Sequence, residues 1–253
     1  MLPTRCEITD GVATITLDLP EKHNALTTEM LDSLGDDLTG CRSEPSVRVI
    51  VLTHTGPTFC AGADLSVAGA TIARFDLPGI LQLIEDIEKP VVAKIAGRCL
   101  GGGVGLAAAC DISIASSDSE FGFSEVRLGV APAVISVVCL PKMRRSDASE
   151  LFLTGRRFHA QRAAEVGLIS RAVEARELEG ALGLVVGELL LGGPLALGAV
   201  KTLIAKVPSM SREEAYGWAS SMSKRLFASE EATAGIAAFR ERRDPPWVLS
   251  HDD

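Results

Sequence analysis

Three stretches of this sequence carry residues that could do chemistry. The first is Phe59-Cys60-Ala61-Gly62-Ala63-Asp64-Leu65. Small residues at 61–63 let the main chain come close to a ligand with its amides free to donate. The second is Leu100-Gly101-Gly102-Gly103-Val104-Gly105-Leu106, a glycine turn that opens a helix. Unpaired amides at the positive end of a helix favour negative charge. The third is Phe121-Gly122-Phe123-Ser124-Glu125-Val126-Arg127-Leu128-Gly129. A carboxyl set among apolar residues resists ionisation, which suits a general acid or base. The first and third stretches also have a plainer reading. Residues 61–64 fit a tight turn with a structural Asp64. Glu125 could pair with Arg127 or cap a helix.

Other chemistries find less support. Gly103-x-Gly105-x-x-Ala108 fits part of a dinucleotide fingerprint, but it lies mid-chain and Asp118 and Glu120 follow too soon. No Lys-Ser/Thr follows the glycines, as a phosphate loop requires, and there is no G-x-S-x-G nucleophile elbow. Cys6, Cys41, Cys60, Cys99, Cys110 and Cys139 form no C-x-x-C pair, and the four histidines are scattered, so no metal site is expected. Several of these cysteines sit in apolar runs and read as reduced, buried groups, which places the chain in the cytoplasm.

The elements that must position these stretches follow from hydrophobic spacing. Residues 5–9 and 12–17 read as strands around an Asp10-Gly11 turn. Residues 28–41 have helical spacing, with Met30, Leu31, Leu34 and Leu38 on one side and Thr27 as N-cap. The β-branched run 47–53 is a buried strand. Residues 77–89 form a helix with Ile80, Leu81, Ile84 and Ile87 inward, stopped by Pro90. Strand 91–96, small-residue helix 101–110 and strand 111–116 follow. This alternation predicts an α/β fold with a largely parallel sheet. From residue 147 the chain reads as helices, over 160–166, 177–191, 195–206, 212–228 and 230–242, apart from 168–173.

Composition agrees with a packed protein: 253 residues, 47% hydrophobic and 23% charged. A net charge of -8 argues against nucleic-acid or anionic-membrane binding. Residues 1–11 lack the apolar core of a secretory signal. Residues 181–200 mimic a membrane span, with Glu188 as the sole charge, but Gly192, Gly193 and Pro194 break them. Two buried helices joined by a tight turn are expected there.

Taken in order, Asn24-Ala25-Leu26, residues 59–65, 101–111 and 121–129, Leu153-Thr154-Gly155, residues 163–173 and the ending 239–247 resemble the crotonase superfamily, the enoyl-CoA hydratase/isomerase family. The resemblance covers nearly the whole chain. It implies a crotonase-like ββα spiral core over residues 1–190, with two roughly perpendicular sheets. A C-terminal helical trimerisation region over 191–253 would follow. It also implies self-association as a homotrimer or dimer of trimers. The substrate would be a coenzyme A thioester, with no permanently bound cofactor. The amides of Ala63 and Gly102 would form an oxyanion hole for the thioester enolate, and Glu125 would be the acid/base. Asn24, Ala25, Ala61, Gly62, Asp64, Leu65, Ser66 and Gly101 would lie along the CoA site. Arg240, Arg242 and Arg243 could meet CoA phosphates, or be solvated helix charges.

One departure stands out against that family pattern. Its hydratases carry two glutamates, and Gly105 occupies the place of the first. A single carboxylate suffices for moving a proton between two carbons, as in the family's Δ3,Δ2-enoyl-CoA isomerases. The context from Arg127 to Ala133 looks more like bacterial hydratases of methylglutaconyl-type acyl-CoA that share the same gap. Ala133 stands where dienoyl-CoA isomerases carry an Asp. Hydration of a 2-enoyl-CoA, isomerisation, and acyl-CoA binding with weak catalysis are therefore the three readings.

Overall fold

The computed structural model describes residues 2–64 and 74–248. In chain order the elements are β1 (Thr4–Thr9), β2 (Val12–Leu17), α1 (Thr28–Ser43), β3 (Val49–His54), β4 (Thr58–Cys60) and α2 (Leu77–Asp86). Next come β5 (Val91–Ile95), β6 (Arg98–Leu100), α3 (Gly102–Ala109), β7 (Ile112–Ser116), β8 (Glu120–Gly122) and α4 (Ala133–Cys139). They are followed by α5 (Arg145–Thr154), β9 (Arg157–His159), α6 (Ala160–Glu165) and β10 (Arg171–Val173). Four helices complete the described chain: α7 (Leu178–Leu191), α8 (Pro194–Lys206), α9 (Arg212–Phe227) and α10 (Glu230–Glu241).

The strands sort into two sheets. One has the order β1-β2-β3-β5-β7-β10 and the other β4-β6-β8-β9. Both orders run monotonically along the chain, and from β3 to β8 successive strands alternate between sheets, so the backbone winds as a spiral. Within each sheet the winding strands pair in parallel, for example Ile50 with Val91 and Cys99 with Phe121. Only the β1–β2 and β8–β9 pairs are antiparallel among the described strands. A monotonic order has no reversal point, and it is at such a reversal that a dinucleotide fold places its cofactor. The partial fingerprint at Gly103 therefore has no matching architecture.

Local chemistry explains the elements. Asp10 and Gly11 both take positive φ, 48° and 80°, as a two-residue hairpin turn requires. Thr27 caps α1 by accepting from the Met30 amide at 3.1 Å. β3 is buried from Val49 to Thr53 because both faces are covered. Its Ile50 and Leu52 face the main core, and its Val49 joins Val92 and Ile114 beneath Leu178 and Val185 of α7.

The helix expected over 77–89 ends at Asp86, one turn early, and its N-cap is Asp76, which accepts from Gly79 at 2.9 Å. The expectation of two buried helices over 181–200 is corrected. The chain does bend, by 109°, at the Gly192–Gly193 break, but both helices are half-exposed. Leu184 is 72% exposed and Ile204 72%. α7 lays one apolar face on the sheet and leaves the other open. Among the described residues no single helix is long and apolar enough to cross a membrane.

Candidate active site

The glycine turn at 101 and the small-residue turn at 61–63 meet at the ends of β4 and β6. Gly101 takes φ +51° and Gly62 φ +92°, conformations that L side chains rarely adopt. A Cβ on Gly62 would stand 3.2 Å from the Gly102 nitrogen and 3.2 Å from Leu100 O. The two turns are thus in van der Waals contact, and glycine at both is a packing requirement.

The backbone around Ala63 is set by a short parallel bridge to Leu26, in which the Leu26 amide donates to Gly62 O at 2.8 Å. A parallel bridge of this kind engages the peptide groups flanking Ala63 and turns its own N–H to the opposite side. Gly102 is the first residue of α3, so its N–H lies among the donors that a helix cannot satisfy internally. Both residues line one pocket of about 220 Å³. That arrangement suits a developing oxyanion better than a neutral ligand, since fixed donors need no reorganisation when charge appears.

Glu125 reaches the same pocket from a 3₁₀ turn, Ser124–Leu128, that follows β8. Its backbone is held on both sides. Phe123 is fully buried and packs 4.0 Å from Phe152 between ring centroids. The Val130 amide donates to Glu125 O at 3.2 Å. The carboxylate lies against the glycine turn, with Oε1 3.1 Å from where a Gly101 Cβ would be. Oε2 is buried and has no hydrogen-bond partner among the described residues. Burial pushes the carboxyl above its ordinary value, opposed by a weaker bond to its own backbone. The plainer readings of Glu125 do not hold: Arg127 Nε donates instead to Thr154 O at 3.4 Å, and Phe123 is the cap of the turn.

Gly105 sits one helical turn along α3, buried, where the first family glutamate would stand. The space beside it is filled. A Cβ there would run into the Ile135 side chain of α4, with Leu81 Cδ1 3.6 Å away. The pocket that holds Glu125 has a largely apolar lining, which includes Leu77, Leu128, Val130, Pro132, Val134 and Ile135.

The remaining expected site residues divide. Ala61, Gly62 and Gly101 line the pocket with Ala63, Gly102 and Glu125. Asn24 does not offer its side chain to a ligand. It is fully buried, its Oδ1 accepts from the Leu19 amide, and its Nδ2 donates to Thr55 O and Thr58 O. Its amide is spent on fixing the loop that delivers Leu26 to Gly62. Ala25 is half-buried in that loop and donates to Lys22 O. Asp64 is half-buried after the turn. Leu65 and Ser66 lie outside the described residues. In the tail, Arg243 turns back onto Glu241 at 2.6 Å. Residue-level reading missed Ile135 and the other wall residues from 130 to 134. The family-like context from Arg127 to Ala133 and the apolar run from Ala133 to Cys139 were their signals.

A larger cavity of about 410 Å³ lies between α8 and α9, lined by Glu88, Lys206, Trp218 and Arg225 among others. It holds neither glycine turn nor Glu125.

Comparison with known proteins agrees with this architecture. The sequence profile of the enoyl-CoA hydratase/isomerase family matches residues 7–249. The carnitinyl-CoA dehydratase of Proteus mirabilis is 36% identical over 248 residues, covering 94% of this chain and 95% of that protein. The crystal structure of an enoyl-CoA hydratase from Mycobacterium smegmatis superposes with a TM-score of 0.91 at 28% identity, covering 98% of this chain and 99% of that one. Pseudomonas aeruginosa AtuE superposes with a TM-score of 0.89 at 28% identity, over 98% of this chain and 100% of its own. A matched profile from end to end, a relative of this identity and the same spiral of strands make the chain an enzyme of the enoyl-CoA hydratase/isomerase family, the crotonase family.

Proposed function

We propose that the protein adds water reversibly across the double bond of a 2-enoyl-CoA, methylglutaconyl-type acyl groups included, with Glu125 as its one acid/base. The observation that carries the reading is the buried Oε2 of Glu125, without a hydrogen-bond partner among the described residues, beside the Gly101–Gly102 turn. The thioester oxygen sits on the amides of Ala63 and Gly102. Glu125 takes a proton from water as the oxygen bonds to Cβ, and electron density moves onto the thioester oxygen. Glu125 then returns that proton to Cα as the enolate collapses. One carboxylate thus serves both steps, and nothing is consumed but the water. The substrate is the CoA thioester itself, and no resident cofactor takes part. The dehydratase name of the Proteus relative supports this reading, since loss of water is the same reaction reversed.

A second reading is isomerisation of a 3-enoyl-CoA, in which Glu125 moves a proton from Cα to Cγ. Ile135 favours it, because an apolar side chain fills the space from which a second carboxylate would hold water. In the same proposal residues 1–190 form the catalytic core of a cytoplasmic enzyme, and residues 191–253 join copies into a trimer or a dimer of trimers.

The test offers the purified protein crotonyl-CoA, a 3-enoyl-CoA and 3-methylglutaconyl-CoA, and follows products by mass. A product heavier by one water supports hydration. A product of unchanged mass with a shifted double bond supports isomerisation. Thioesters that bind and stay unchanged would reduce the protein to an acyl-CoA binder.

A further inference from the structure

Cys6 and Cys41 are 35 positions apart and meet across the β1–α1 interface, with 3.6 Å between their sulfur atoms. The meeting follows from two periods that coincide. Thr4 Oγ1 donates to Asp37 Oδ2 at 2.6 Å, which seats the first residue of β1 on α1. Cys6 lies two residues further on the same strand face, an advance of about 6.8 Å. Cys41 lies four residues beyond Asp37, one helical turn and about 6 Å along the axis. Strand and helix therefore meet a second time, at sulfur. Lys89 fixes that end of α1, donating to Cys41 O at 2.6 Å and to Glu44 O at 2.6 Å. Neither cysteine lines the pocket that holds Glu125.

We propose that Cys6 and Cys41 form a reversible oxidation site, closed by exchange with a small-molecule disulfide. Cys6 is exposed and Cys41 is buried, so Cys6 is the point of entry. Its thiolate attacks one sulfur of the disulfide, forms a mixed disulfide and releases one thiolate. Cys41, deprotonated, attacks the Cys6 sulfur and releases the second. Two protein thiols are oxidised by two electrons, and one small disulfide is reduced to two thiols. The sulfur atoms close from 3.6 Å to a bond of about 2.0 Å. Burial raises both thiols, Cys41 to about 12. Asp37 and Glu7 face Cys6, while Asp37 and Lys89 face Cys41. Exchange is accordingly slow at neutral pH and accelerates as pH rises. The bond ties the edge strand β1 to α1 and removes freedom from the unfolded chain.

The full chain is incubated with oxidised glutathione, its remaining thiols are alkylated under denaturing conditions, and it is mapped without reduction. The expected result is loss of two of the six thiols, a cross-linked peptide pair holding Cys6 and Cys41, and a higher melting temperature that dithiothreitol reverses. Cys41→Ser stops at a glutathione adduct on Cys6, and Cys6→Ser takes up neither adduct nor cross-link. Six alkylated thiols after incubation, a wild-type chain that stops at the Cys6 adduct, or a cross-link through any other cysteine would overturn the proposal.

Discussion

At the scale of single residues, Gly105 and Glu125 define what the pocket can do. Ile135 occupies the volume beside Gly105, so restoring a carboxylate there needs two changes. Gly105→Glu alone is expected to lose about 1–3 kcal/mol of stability through overpacking and to gain no hydration. Gly105→Glu with Ile135→Ala is expected to raise crotonyl-CoA hydration by about tenfold, part of the roughly 10²–10⁴-fold that a positioned acid/base supplies. Steady-state kinetics and thermal melts of both variants check this. Glu125 itself costs stability. Burial raises its carboxyl above the ordinary 4.5, so between that value and its own the folded chain holds more protons than the unfolded one. Stability from this group therefore falls as pH rises through that window. Glu125→Gln removes the charge, and its melting temperature is expected to exceed wild type at neutral pH, with the gap closing as pH falls toward 4.5.

At the scale of elements, the close approach of α3 to β4 holds the two turns together. A Cβ on Gly103 would lie 2.5 Å from Cys60 O and 2.8 Å from Cys60 Cβ. Gly103→Ala is expected to cost about 1–3 kcal/mol, read from denaturant unfolding, because backbone must move to admit it. Most elements of five or more residues were legible from spacing: β2, β5, α1 and α3 lie within a residue or two of expectation. The three-residue strands β4, β6, β8 and β9 were not legible one by one, since three residues carry no alternation. They exist because each turn of the spiral lays one beside the last. α4 was hidden for another reason. Its Val-Ile-Ser-Val-Val run favours a strand, and packing of Ile135 over Gly105 decides for a helix. The turns at 61–63 and 101–103 and Glu125 were visible as motifs. The apolar lining around them was not, because α2, α4 and the segment 128–132 assemble it in space.

At the scale of the whole molecule, partly buried polar contacts tie the C-terminal helices to the core. Lys201 of α8 meets Asp111 at 2.8 Å and donates to Ile84 O at 2.8 Å. Asp111 in turn accepts from the Val91 amide at 2.7 Å, at the start of a central strand. Lys201→Met leaves that carboxylate without its cation and is expected to cost about 2 kcal/mol. Denaturant unfolding measures the loss, and limited proteolysis should cut first at the junction before α8. Arg48 makes a second tie, donating to Gly192 O at 2.6 Å and Trp247 O at 2.7 Å. These contacts join residues far apart in sequence, so no local pattern announced them.

Turnover and acyl-CoA affinity measured side by side for wild type and Glu125→Gln bear most directly on the mechanism. The account predicts that turnover falls by roughly 10²–10⁴-fold while the dissociation constant for the CoA thioester stays within a few-fold. Turnover that survives the substitution, or affinity that vanishes along with it, would contradict a proton moved by this one carboxylate.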